Sequence, residues 1–313
     1  MRGRCFLVGS SDRNEGSVIR REEEWIRELE ADGSLVEAGR FRERVEALER
    51  IEGFLLEERF SCGDCQLLEK ENRQVYLRAR ELSEKLEEAN VRLYEAIREE
   101  IRSGNGADSL LRWAGKLDET VEMIACASGE SYDYMDELLS GVLIFEGPRR
   151  EAAPQAAEMV AYQPTPARHI FDFLGRTKMT ERDVLMDLGS GLGHIALTAS
   201  ICTRAQCIGL EVEAGYVECA RRSAEELKLK RVEFMRRDAR EAELSSGTVF
   251  YLYTPFRGTI LRDVLGMLRR EAEGREIRVG TFGPCAASVA EEGWLAPVTT
   301  VEAGRIAVFR SVP

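Results

Sequence analysis

A chain of 313 residues is long enough for two domains of ordinary size. Its 44% hydrophobic content supports a buried core, and its 32% charged content excludes a membrane bundle. The net charge of −12 is uneven: residues 1–150 hold 23 basic and 34 acidic side chains, against 21 and 22 in the remainder.

An acidic first half is a poor platform for phosphate backbones and favours a small-molecule or basic partner over nucleic acid. No apolar run approaches the ~20 residues that span a bilayer. Met1 to Gly9 is too short an apolar stretch for a secretion signal. The expectation is a cytoplasmic protein with no membrane partner.

The first ~145 residues read as helices. Asn14–Glu30 and Ser34–Phe60 carry apolar residues at three-to-four spacing. Val75, Ala79, Leu82, Leu86, Ala89, Leu93, Ile97 and Ile101 then line one face of a helix of roughly 35 residues, which Gly104-Asn105-Gly106 ends. This seam suits packing on a neighbouring helix, and homodimerisation through the helical half is the alternative. Further helices are expected over Ser109–Ala127 and Tyr132–Leu139. Among eight cysteines only Cys62-Gly63-Asp64-Cys65 has ligand-like spacing. One such pair supplies two of the four ligands that a structural zinc wants. With His169 and His194 the only histidines, no metal site is expected.

A linker at Gly147–Pro154 divides a helical domain, 1–150, from a second domain, 151–313. Strand-like runs follow at Val184–Asp187, Cys207–Glu211, Val232–Met235, Val249–Tyr253 and Ile277–Phe282. Helical stretches lie between them at Gly193–Ile201, Ala214–Leu227 and Thr259–Ala272. This alternation predicts a doubly wound, Rossmann-like α/β sheet. Val298–Val301 and Arg305–Phe309 flank a turn and predict an antiparallel hairpin at the edge, for seven strands in all.

The run Asp187-Leu-Gly189-Ser190-Gly191-Leu-Gly193-His194 ends a strand and opens a helix. Its glycines let the backbone approach a ligand. The dinucleotide fingerprint would need its third glycine at His194. The spacing instead resembles motif I of the class I S-adenosylmethionine-dependent methyltransferases. That resemblance covers roughly residues 160–313. It implies S-adenosylmethionine as cofactor, with Asp187 orienting its methionine end and Gly189, Ser190, Gly191 and Gly193 beside the methionine and ribose. Glu211, 22 residues after Gly189, would accept from the ribose hydroxyls, and Asp238 with Ala239 would meet the adenine.

At the end of the fourth strand, Phe250-Tyr-Leu-Tyr253-Thr254-Pro255-Phe256 occupies the family's substrate-facing position. Amino-methylating relatives often carry Asn or Asp ahead of the proline, which this chain lacks. Tyr162-Gln163-Pro164-Thr165-Pro166 resembles the loop before the core in non-SET lysine methyltransferases of the histone-methylating kind, and it offers Tyr162 and Thr165 to the methionine end. The catalytic candidates are Tyr162, Tyr253, Thr254 and Phe256. The acceptor is expected to be a small molecule or a protein side chain. The competing readings are a non-catalytic scaffold on the same fold and an NAD-dependent oxidoreductase.

Overall fold

The computed structural model describes residues 12–61, 70–115, 131–145, 163–253, 258–302 and 304–312. The chain divides into two compact units, Met1–Leu93 and Tyr94–Pro313.

In the first unit, α1 (Asp12–Ala31), α2 (Phe41–Ser61) and the leading part of α3 (Lys70–Arg102) surround a core of Ile26, Leu35, Ala47, Ile51, Phe54, Val75, Ala79, Leu82 and Leu86. The expected seam of α3 is thus buried inside the chain over these turns. The expected helix from Ser34 begins later, at Phe41. Asp32 accepts from Ser34 N at 3.1 Å and caps a short 3-10 turn, Gly33–Val36, and a second, Ala38–Arg40, follows it. Such turns leave carbonyls without helical partners. Arg44, fully buried, donates to Leu35 O and Glu37 O at 2.6 and 2.9 Å, and to Asn90 Oδ1 at 2.6 Å.

The second unit begins earlier than the expected boundary near residue 150, because the helices after Tyr94 pack with the α/β elements. α3 ends where expected. Gly104 takes φ +90°, and the bonds Asn105 N→Glu100 O and Gly104 N→Ile101 O close the turn. α4 (Gly106–Gly115) packs on α7 (His194–Cys202), and α5 (Tyr134–Leu143) packs on α6 (Ala167–Thr177). The rest of the helix expected over Ser109–Ala127 lies outside the described residues.

Asp133 caps α5, accepting from Met135 N at 2.8 Å, while Asp136 reaches back to Asp133 N at 2.7 Å. Asp133→Ala should therefore cost about 1–2 kcal/mol. An unchanged thermal midpoint would show that the cap contributes nothing.

The sheet comprises β1 (Val184–Leu188), β2 (Gln206–Glu211), β3 (Val232–Arg236), β4 (Val249–Tyr253), β5 (Arg278–Phe282), β6 (Leu295–Pro297) and β7 (Ala307–Ser311). Their order is β3-β2-β1-β4-β5-β7-β6. The first five are parallel, while β7 runs antiparallel to both β5 and β6. The edge hairpin is present, but its first strand is Leu295–Pro297 rather than Val298–Val301. Leu295 is buried and supplies the apolar contact, whereas Val298 and Val301 are exposed.

One face of the sheet, with Met186, Leu188, Phe250, Leu252 and Val279, packs on α9 (Gly258–Ala272) and α10 (Cys285–Ala290). The other face carries α6, α7 and α8 (Ala214–Glu226). Among the described residues no helix is long and apolar enough to cross a membrane.

Candidate active site

The glycine turn lies between β1 and α7, at the carboxyl end of the sheet. Gly189, Gly191 and Gly193 take φ values of +90°, +52° and +89°, a region that L side chains rarely adopt. Gly189 N and Ser190 N both donate to Leu210 O at 2.9 Å, which pins the turn onto β2. A Cβ on Gly193 would stand 2.6 Å from the Phe234 ring.

Three carboxylates stand at the ends of the three adjacent strands. Asp187 is 3% exposed and accepts no hydrogen bond among the described residues. Burial, reinforced by the charge of Glu211, pushes it up to about 8. The Glu211 carboxylate closes the turn: Oε2 accepts from Gly191 N at 2.9 Å, and Oε1 accepts from Val212 N and Glu213 N at 2.7 and 2.9 Å. Asp238 caps the short 3-10 turn Ala239–Glu241 and pairs with Arg240 at 2.7 Å. The Arg240 hydrogen bond holds its carboxyl below the usual value. Ala239 is buried.

Register explains how the Asp187 environment is made. Asp187 pairs with Gly209 on one side and Tyr251 on the other; Gly209 pairs with Phe234, and Tyr251 with Gly280. Paired residues share a face, so the row reads Phe234, Gly209, Asp187, Tyr251, Gly280. The Phe234 ring and the Ser190 hydroxyl occupy the space that a Cβ on Gly209 would need, and the Phe173 ring does the same at Gly280. Ser190 Oγ is buried and has no hydrogen-bond partner among the described residues.

Beyond Tyr251 lies an aromatic group. The Phe173 and Tyr251 ring centroids are 5.0 Å apart, Tyr253 and Phe282 are 4.9 Å apart, and His169 and Phe282 are 4.2 Å apart. Thr165, ahead of α6, is buried with Oγ1 2.9 Å from the Tyr251 hydroxyl. His194 packs on Phe145 at 4.2 Å, and burial pushes it down to about 3. It therefore stays neutral and is a weak base, unlike the general base that catalysis near neutral pH favours. Burial pushes Cys202 and Cys207 up to about 12, so neither is a ready nucleophile.

The family model described as histone methylation protein DOT1 matches residues 155–250, a span that includes the glycine turn, the first three strands and the start of β4. Over that span the chain is similar to this family, and its seven-stranded sheet has the order β3-β2-β1-β4-β5-β7-β6. Among solved structures it is similar to the RNA methyltransferase from Salinibacter ruber, crystallised with S-adenosyl-L-homocysteine. The two are 29% identical over 48% of this chain and 94% of that one, with a TM-score of 0.40. A methyltransferase from Geobacter sulfurreducens is 15% identical over 49% of this chain and 80% of its own, with a TM-score of 0.39. Precorrin-6y C5,15-methyltransferase from Geobacter metallireducens is 16% identical over 51% and 92%, with a TM-score of 0.37. No curated protein matches the chain.

On this sheet, Asp187, Gly189, Ser190, Gly191, Gly193 and Glu211 converge on one turn. Asp238 and Ala239 follow β3, and Tyr253 ends β4. Tyr162, Thr254 and Phe256, like Cys62 and Cys65, lie outside the described residues. Phe234 and Gly209 escaped the sequence reading, and Tyr251 entered it only as part of the run Phe250–Phe256. Two signals pointed to them: Tyr251 shares the face of Tyr253 at spacing two, and a glycine inside a strand marks a close approach.

Proposed function

We propose that the protein transfers a methyl group from S-adenosylmethionine to an acceptor that reaches the carboxyl end of β4. The observation that carries this reading is the buried Asp187 carboxylate, without a hydrogen-bond donor among the described residues, beside a turn of three left-handed glycines. A buried acid without a partner destabilises its own charged form, and a cationic ligand group reverses that penalty. The α-ammonium group of the cofactor has the required charge. The orphaned Ser190 hydroxyl offers a further polar contact. Glu211 Oε2 accepts from Gly191 N and, as a carboxylate oxygen, retains capacity for a ribose hydroxyl. The residues present fit the cofactor.

When bound, S-adenosylmethionine supplies an activated methyl group on a sulfonium. The chain's work is to hold and orient it. Asp187 holds the ammonium end, and Glu211 and the glycine turn orient the ribose. Asp238 and Ala239 border the adenine region. Tyr253, Phe282 and His169 form an apolar wall that keeps water from the reacting atoms. Of the acceptor classes, the overall charge of −12 favours a cationic small molecule or protein side chain over a polyanion. We assign acceptor choice to residues 1–150, which carry most of that charge.

Calorimetric titration with S-adenosylmethionine, S-adenosyl-L-homocysteine and NAD should show binding of the first two and none of the third. Labelled methyl transfer to a fractionated extract should then appear in the protein or small-molecule fraction. Tight NAD binding with no response to the sulfonium cofactor would overturn the proposal.

A further inference from the structure

We infer that the Tyr251 and Thr165 hydroxyls form a latch that sets the segment Gln163–Pro166 beside the cofactor site, making both positioning residues for cofactor retention. The inference rests on the reading proposed above.

The segment has no regular secondary structure, and it and the first turn of α6 that follows are tied to residues 131–136. Pro164 O accepts from the Tyr132 hydroxyl at 2.9 Å. Ala167 N donates to Asp136 Oδ1 at 2.7 Å. The Arg168 guanidinium donates to Ser131 O and Ser131 Oγ. All three of these anchors come from one short stretch, residues 131–136. Among the described residues the side-chain hydrogen bond from this segment to the sheet is Thr165 Oγ1 to the Tyr251 hydroxyl, between two buried groups 86 positions apart in sequence. Tyr251 is the register partner of Asp187 and lies on the same face. The latch therefore couples the segment to the strand pair that carries the Asp187 carboxylate. Burial holds the Tyr251 phenol well above its ordinary value, so it stays protonated near neutral pH and either hydroxyl can donate to the other.

Orientation is what the hydroxyl pair adds to packing. Replacing both members of a buried hydrogen bond by apolar groups of similar shape is close to neutral for stability. Phenylalanine and valine would fill the same space, with the Phe173 ring still against position 251. What those side chains lose is a fixed distance between segment and strand.

The test uses the full chain with S-adenosyl-L-homocysteine as probe, reading affinity, dissociation rate and thermal midpoint. Tyr251→Phe and Thr165→Val should each weaken binding about five- to tenfold through faster dissociation. The double variant should be no worse than either single one, because the two hydroxyls act as one unit. Thr165→Ser, which keeps the hydroxyl, should recover most of the affinity lost in Thr165→Val. A purely structural role would lower the midpoint and leave the dissociation rate of the folded protein unchanged. Wild-type binding with unchanged rates in both single variants, additive losses in the double, or no recovery by serine would overturn the latch alone. Failure of the wild type to bind the probe would overturn the latch together with the reading beneath it.

Discussion

Valine at position 191 should abolish cofactor binding. Gly191 sits at φ +52°, and a β-branched side chain is a genuine outlier there. The strain costs about 1–2 kcal/mol if the backbone holds. The backbone has an easier response, which is to rotate out of the left-handed region. That rotation breaks the 2.9 Å bond from Gly191 N to Glu211 Oε2 and frees the carboxylate that we propose meets the ribose. Turn and carboxylate are then lost together. Calorimetry with S-adenosyl-L-homocysteine should show at least about a hundredfold loss, equivalent to roughly 2.7 kcal/mol. The thermal midpoint should fall by only a few degrees, because β1 and β2 remain paired below the turn. Affinity within a few-fold of wild type would remove the glycine turn from the site.

The second large effect concerns Asp187→Asn. The folded protein raises this carboxyl from 3.8 to about 8, first by burial and then through Glu211. A raised value means that folding favours the protonated form. The associated stability is fully present below about 3.8 and is lost as pH rises through about 8. The wild-type midpoint should therefore fall between about pH 4 and pH 8 and level off above that, corresponding to a few kcal/mol. Asparagine resembles the protonated acid and should remove most of that decline. Binding should show the opposite preference. A cationic ligand draws Asp187 into its charged form, so association near pH 7 should release a proton. Calorimetric heats should then vary with the ionisation enthalpy of the buffer. The asparagine variant should bind weakly with no such variation. A wild-type midpoint flat across this range, together with buffer-independent heats, would refute this account of Asp187.

The turn and its flanking carboxylates were legible because they are local. A strand, a glycine run and a helix start lie within eleven residues, and Glu211 ends the next strand. Strand-helix alternation likewise announced the parallel sheet. What stayed hidden depends on distant partners. The Thr165 hydroxyl meets Tyr251 across 86 positions, and Asp136 meets Ala167 across 31. No periodicity records such pairs. α10 was missed because it is only six residues long and follows Gly283-Pro284, which reads as a loop. The first hairpin strand was displaced by three residues because two valines favoured Val298–Val301, whereas burial of Leu295 decides the pairing. The early start of the second unit was hidden too. Composition changes near residue 150, but Arg98 donates to Val142 O and Ser223 donates to Leu143 O, joining α3, α5 and α8 in one unit.

The row Phe234, Gly209, Asp187, Tyr251, Gly280 also sets the order in which this face can be altered. Its two glycines are the complement of two rings, since Phe234 and Phe173 already fill the volume that new side chains would claim. Enlarging either glycine alone forces a ring into its neighbours, and overpacking of this kind costs about 1–3 kcal/mol. Trimming the ring first leaves a void that a larger side chain can then fill. Reshaping this face for a different ligand would therefore begin at Phe234 or Phe173, and only afterwards reach the strand positions beside Asp187.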